Sequence, residues 1–245
     1  MESKVSATKA PSPAMRPAFS STDVYEHLKR RILEHSIPPS TRLNIMQIAK
    51  ELKVSATPVR EALRLLQGDN LLEAISNKGY QTTPVLNARQ VRDLFEFRLL
   101  IEPWAASAAA TNRLQNPGLE LDREIKNFDS SARPTRQIML NHDHKFHKII
   151  LQSTGNFDVV RAFEQSHCHL HLFRMFGGDW DFAASLEEHK QIARAVSKAE
   201  PKAAEEAMRL HLHSAYRSFT EAMADDTLET PLGEFSSSSM IRPLS

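Results

Sequence analysis

The chain has 245 residues, 41% of them apolar, which is enough for two cores of ordinary domain size. Its single cysteine, Cys168, excludes an internal disulfide and fits a reducing, cytoplasmic setting. The formal charge is only +1, so no global field draws the chain to nucleic acid, and no apolar run approaches the ~20 residues of a membrane span.

Residues 1–19 are rich in Ser, Pro, Ala and Lys, lack periodicity and read as a disordered tail. No apolar segment follows Lys4 and Lys9, so this is no secretory signal. Val24, Leu28, Ile32 and Leu33 then space an amphipathic helix, and IPPSTRL connects it onward. From Ile45 to Gln67 the pattern is two short helices and a tight turn. Ile48, Ala49 and Leu52 mark the apolar face of the first; Val59, Ala62, Leu63 and Leu66 mark that of the second. Ser55 and Thr57 are both candidate N-caps, and Pro58 suits the first helical turn. Arg60 projects outward, with Arg64 one turn on. This suits a helix whose N-terminal residues meet base edges and phosphates in the major groove, although periodicity alone fits an ordinary helix hairpin equally well. LLQGDNLLEAISNKGYQTTPV follows as helix end, strand, turn and strand, with Asn77-Lys78-Gly79 at the hairpin tip.

Helix, helix-turn-helix and hairpin make a winged helix. Here the chain resembles the GntR family of bacterial transcription regulators. The match is carried by Pro39 to Leu43, Ile48-Ala49, Leu52, SATPVREALRLLQGDNLL from Ser55 to Leu72, and Gly79, and it covers residues 20–85. The resemblance implies a cytoplasmic homodimer that reads a palindromic operator in double-stranded DNA, with Ser55, Thr57, Arg60, Arg64, Lys78 and Gly79 as contacts. One residue departs from the pattern. The family's usual arginine after the serine, which reaches a guanine, is Ala56 here. A bidentate arginine contributes ~1–3 kcal/mol of base discrimination, so this operator is expected to differ at that base pair.

Charge follows the same division. Residues 20–86 hold 9 Lys/Arg against 7 Asp/Glu, while residues 87–245 hold 19 against 22. After a linker at Pro84 to Asn87, glycine is scarce and the pattern is helical. Ala88 to Asn112 reads as one long helix carrying Val91, Leu94, Phe95, Arg98, Ile101 and Ala105 in a stripe, with a kink or break at Pro103. Further helices are expected over Leu119 to Phe128, Arg136 to Gln152, Phe157 to Phe176, Ala184 to Ala199 and Pro201 to Ala224. The expected fold is mainly all-α: a winged helix-turn-helix, then an antiparallel bundle of about six helices over residues 88–224. A second disordered tail spans 225–245. RLLIEPWAASAAA, DHKFHKIILQSTGN and EEHKQIARAVSKAEPKAAEEAMRLHL resemble the FCD ligand-binding domain of the FadR subfamily, over residues 88–222.

The bundle carries a candidate metal site on chemistry alone. Asp143 and His147 are four apart and share a helix face with Met139, Phe146 and Ile150. His189 and His211 lie in apolar stripes, 12 residues before and 10 after Pro201. Those separations are about 18 and 15 Å along the two helices, so in an antiparallel pair the imidazoles reach similar depth. One carboxylate and three imidazoles suit Zn²⁺, with Ni²⁺ or Mn²⁺ also compatible; a hydrogen-bonded polar core is the alternative. The FCD resemblance implies the same four residues and a position open to water or a small carboxylate effector. His142 and His144 lie off the apolar face by this reading. His167, His169 and His171 read as mostly structural, with one of them free to face the cavity.

Arg98 is either the partner of Glu102 or a guanidinium that grips the effector carboxylate, as the resemblance implies. Asn156 is either a helix cap or an effector contact. The reading is therefore a regulator, most simply a repressor, controlled by a small organic acid at or near a metal. Its rivals are a regulator for which the ion is itself the signal and, at lower weight, a metal-dependent hydrolase. The last would leave the winged helix without a role and lacks a separate general base.

Overall fold

The computed structural model describes residues 19–76, 79–112, 116–129, 135–175 and 182–224. Lys78 and both terminal tails lie outside the described residues.

Helix α1 spans Ser21–Leu33 and opens with a capping box in which Ser20 and Asp23 each bond the other's backbone amide. Strand β1 (Arg42–Leu43) precedes α2 (Ile45–Leu52), α3 (Ala56–Gly68), β2 (Leu72–Ile75) and β3 (Gly79–Thr82). The sheet order is β1-β3-β2, antiparallel throughout, with Ala74 opposite Tyr80 and Arg42 opposite Gln81. Gly79 enters β3 at φ +86, a conformation that a side chain would strain. Val24, Leu28, Val59, Ala62, Leu63, Leu66 and Leu71 are fully buried together and form the core of this head. Two expectations change here. The connector before α2 contributes β1, which gives the wing a third strand. Helix α3 starts at Ala56 behind Ser55, so Pro58 occupies the third helical position, where its missing N–H still costs no helical bond.

The rest of the described chain is helical: α4 (Ala88–Thr111), α5 (Gly118–Asp129), α6 (Arg136–Ser153), α7 (Phe157–Ser166), α8 (Cys168–Met175), α9 (Ala183–Ser197) and α10 (Pro201–Ala224). Helix α10 lies along α4, where Phe95 meets Tyr216 edge-on at 5.4 Å and Phe219 at 5.7 Å. The expected break at Pro103 does not occur. Helix α4 runs through it, and Pro103 sits in a buried stretch with Glu102, Ala105 and Ala106. An interior proline costs ~3 kcal/mol; the small-residue packing along α10 outweighs it. The expected single helix from Phe157 to Phe176 is two helices, parted at His167, whose φ of 47 is left-handed. Seven bundle helices among the described residues therefore replace the six expected. No helix among the described residues is long and apolar enough to cross a membrane.

Candidate metal centre and DNA-reading surface

Asp143 and His147 on α6, His189 on α9 and His211 on α10 meet inside the bundle. One ligand atom from each lies within 4.8 Å of all the others, and the three histidines are buried. Asp143 Oδ1 is 3.7 Å from His147 Nε2 and 3.8 Å from His189 Nε2, while His211 Nε2 is 3.3 Å from His147 Nε2. Donors about 2.1 Å from a shared ion lie about 3.0–4.2 Å apart, so these three separations suit a small divalent cation.

The hydrogen bonds around the cluster decide which atoms face inward. His147 Nδ1 is 2.6 Å from Glu102 Oε2, and His211 Nδ1 is 2.8 Å from Glu188 Oε2. A carboxylate only accepts, so both Nδ1 atoms carry the proton and both Nε2 atoms carry a lone pair. The same logic passes along a chain. His142 Nδ1 donates to Glu124 at 3.2 Å, so its Nε2 accepts from His189 Nδ1 at 3.2 Å. His189 Nε2 is left with a lone pair and has no hydrogen-bond partner. Asp143 Oδ2 accepts from His169 Nδ1 at 2.9 Å, leaving Oδ1 facing the imidazoles. Three lone pairs and a carboxylate oxygen thus point at one another, and the Arg98 Nη2 N–H, 3.3 Å from His147 Nε2, is the donor beside them. Such a set is repulsive in a low-dielectric interior unless a cation sits among the donors.

Protonation states agree. Burial drives His147 down to about 4 and His189 well below its usual range, so both rings are neutral near pH 7. Burial opposes the charge on Asp143, but the His169 hydrogen bond and the neighbouring His147 hold its carboxyl well below the usual carboxylate range. Neutral imidazoles and an ionised carboxylate are the forms that bind metal.

Arg98 forms the Glu102 pair that one of its two sequence readings expects. It is buried and bonds Glu102 through Nε at 2.5 Å and Nη2 at 3.3 Å, so the salt bridge is present. Its Nη2 also lies 3.3 Å from His147 Nε2. A cavity of about 20 Å³ is lined by Arg98, Asp143, His169, Phe173, Ser185 and His211. That volume holds about one water. Asn156 is exposed and caps α7, its side-chain oxygen accepting from the amides of Asp158 and Val159, which is the first of its two sequence readings. His142 is a correction: it is buried, because α5 packs against α6 and supplies Glu124. Glu102, Glu124 and Glu188, which fix the imidazoles, were not singled out as part of the site. Only Glu102 had a sequence signal, four residues after Arg98 in an apolar stripe.

On the head, Ser55 caps α3 without spending its hydroxyl on the helix. Thr57, Arg60 and Arg64 are exposed along the first turns, and Gly79 is exposed beside the tip of the wing. Among the described residues, no carboxylate pairs with Arg60 or Arg64.

Comparison with known proteins places this architecture. Residues 20–81 match the profile described as bacterial regulatory proteins, gntR family, and residues 93–214 match the FCD domain. The chain belongs to the GntR family, in its FadR-like FCD subfamily. This GntR regulator is 28% identical over 195 residues to the uncharacterized HTH-type transcriptional regulator YdhC of Bacillus subtilis, covering 77% of this chain and 86% of that protein. It is 29% identical over 204 residues to the Uxu operon transcriptional regulator of Escherichia coli, covering 71% and 76%. A GntR transcriptional regulator from Rhodococcus sp. RHA1 shares the fold, with TM-score 0.64, 21% identity and coverage of 82% and 98%. The protein is a transcription regulator and not an enzyme.

Proposed function

We propose that this GntR regulator is a cytoplasmic homodimer whose grip on a palindromic operator is controlled by a small organic acid bound at a divalent metal. Asp143, His147, His189 and His211 hold the ion, with Zn²⁺ first and Ni²⁺ or Mn²⁺ as alternatives. The observation that carries this reading is the convergence of three imidazole lone pairs on Asp143 Oδ1, two enforced by a carboxylate directly behind the ring and the third, on His189, through His142 and its Glu124. Bound, the metal would supply positive charge at a largely buried site. Arg98, beside His147 Nε2, would grip the acid's carboxylate, and Glu102 keeps the guanidinium ionised. The winged helix of residues 20–85 reads DNA through Ser55, Thr57, Arg60, Arg64, Lys78 and Gly79. The bundle of 88–224 dimerises, and residues 1–19 and 225–245 are tails. We assign repression as the sign, because a dimer seated on DNA excludes polymerase by occupancy alone, whereas activation needs a further contact.

The cavity favours one rival. At about 20 Å³ it admits a water beside an ion but no organic acid without opening, which suits a regulator for which the ion is the signal. Selection from random duplex DNA with the tag-free protein would supply the operator, and its affinity would then be measured with Zn²⁺, with chelator, and with Zn²⁺ plus small carboxylates. Release only on adding both metal and acid is the expected result. Full response to metal alone would replace the acid with the ion, and a non-palindromic selected site would count against the dimer.

A further inference from the structure

Helix α8 is joined to the candidate metal centre at one end and to the DNA-reading head at the other. It is two turns long, about 12 Å, and the left-handed His167 separates it from α7. In its first turn, His169 Nδ1 donates to Asp143 Oδ2, on the same carboxylate whose Oδ1 faces His147 and His189. In its last turn, Phe173 lines the small cavity beside Arg98 and His211 and also packs into the apolar core of the head, together with Leu140 of α6.

Arg174 completes the link. It is buried, and its Nη1 donates to Thr83 Oγ1 at 2.7 Å while Nη2 donates to the Thr83 carbonyl at 2.6 Å. Its own carbonyl meets His35 Nε2 at 2.5 Å. Thr83 directly follows β3, and His35 lies just past the end of α1. One residue thus holds the root of the wing and the end of the first head helix. The arrangement is expensive. The guanidinium has no carboxylate partner among the described residues, and its Nε is buried with no hydrogen bond. A charge kept dry against neutral acceptors destabilises the fold, so its place at the junction calls for a role beyond packing.

We propose that α8 couples the metal centre to the winged helix, with Arg174 as the positioning residue that transmits the state of Asp143 to Thr83 and His35. The proposal rests on the metal reading above and adds the route by which the ion reaches the head. An ion that engages Asp143 Oδ1 fixes the carboxylate, and with it His169 and the register of α8. Arg174 then fixes the wing root, so the ion orders both regions. A rigid element gripped at both ends is a physical basis for such coupling.

The test is hydrogen exchange on the full-length chain, stripped with chelator and then given one equivalent of Zn²⁺. In the wild type, Zn²⁺ should slow exchange in peptides covering 143–150 and 186–192. It should also slow peptides covering 33–37 and 79–86 by about fivefold or more, the low end of typical coupling between sites. Arg174→Gln should keep the first protection and lose the second. Should that variant fail to fold, Thr83→Val, which removes the hydroxyl acceptor of Arg174 along with that hydroxyl's own bond to the Asn70 carbonyl, should retain the bundle protection and weaken the Zn²⁺-dependent gain of protection in the head. Bundle protection in the wild type without any at 33–37 and 79–86 would overturn the coupling alone, as would head protection undiminished in the variant that folds. No protection anywhere would overturn the metal reading and the coupling with it.

Discussion

The head and the bundle are built on opposite principles. Among the described residues of the winged helix, the one buried polar side chain is Thr82, whose hydroxyl bonds the Pro38 carbonyl. The bundle buries Arg98, Glu102, Glu124, His142, His147, His169, Arg174, His189 and His211. A head that reads DNA keeps its polar groups outside, so its core can be apolar and locally specified. A bundle that senses a small ligand must keep them inside, where each requires a partner and an unpaired charge costs several kcal/mol. The difference locates the sensitive residues: on the surface of the head, and in the interior of the bundle.

The sharpest break should come from Glu102→Ala. It strips a buried guanidinium and a buried imidazole of their shared carboxylate, and removing one partner of a buried pair costs ~3–5 kcal/mol. Denaturant unfolding measures it; a loss under 1 kcal/mol would mean the interior network is not the costly feature described. Arg60→Ala tests the head in the opposite way. Operator affinity should drop by ~1–3 kcal/mol, about five- to 150-fold, with stability and metal content unchanged. Retained affinity would remove α3 as the reading helix.

A third prediction concerns pH and applies to the metal-stripped protein. His147 and His189 have folded values below the unfolded ~6.5, His147 at about 4, because burial disfavours the charged ring. The unfolded chain therefore binds more protons between these values. Stability is present above pH 6.5 and lost as pH falls, with a slope approaching about 1.4 kcal/mol per pH unit for each ring. A melting temperature equal at pH 6.5 and pH 5 would contradict neutral imidazoles in the core. The smallest effect belongs to Asn156→Ala. It should cost about 1 kcal/mol through the lost α7 cap and leave any ligand response untouched; an altered response would return Asn156 to the effector site.

The same contrast explains what the sequence made legible. The winged helix was readable because its signals are local: the Ser55-to-Leu66 spacing, and the turn ending at Gly79. The four clustered groups were readable because two are a helical turn apart and two sit at matched depth about Pro201. Glu124 and Glu188 were not, since nothing local to either marks the imidazole it will meet on another helix. His142 was misplaced because one apolar stripe was assumed for α6, whereas α5 buries a second face. A break at Pro103, one of the two outcomes expected there, did not occur, whereas an unexpected one occurred at His167. Packing against α10 carried α4 through a proline, and a single left-handed residue ended α7 where the apolar pattern ran on.

Elemental analysis of the tag-free protein, beside Asp143→Ala, tests the central claim most directly. The account predicts about one Zn, Ni or Mn per chain in the wild type, lost in the variant. Metal absent from both, or undiminished in the variant, would contradict it and leave the buried histidines as a polar network.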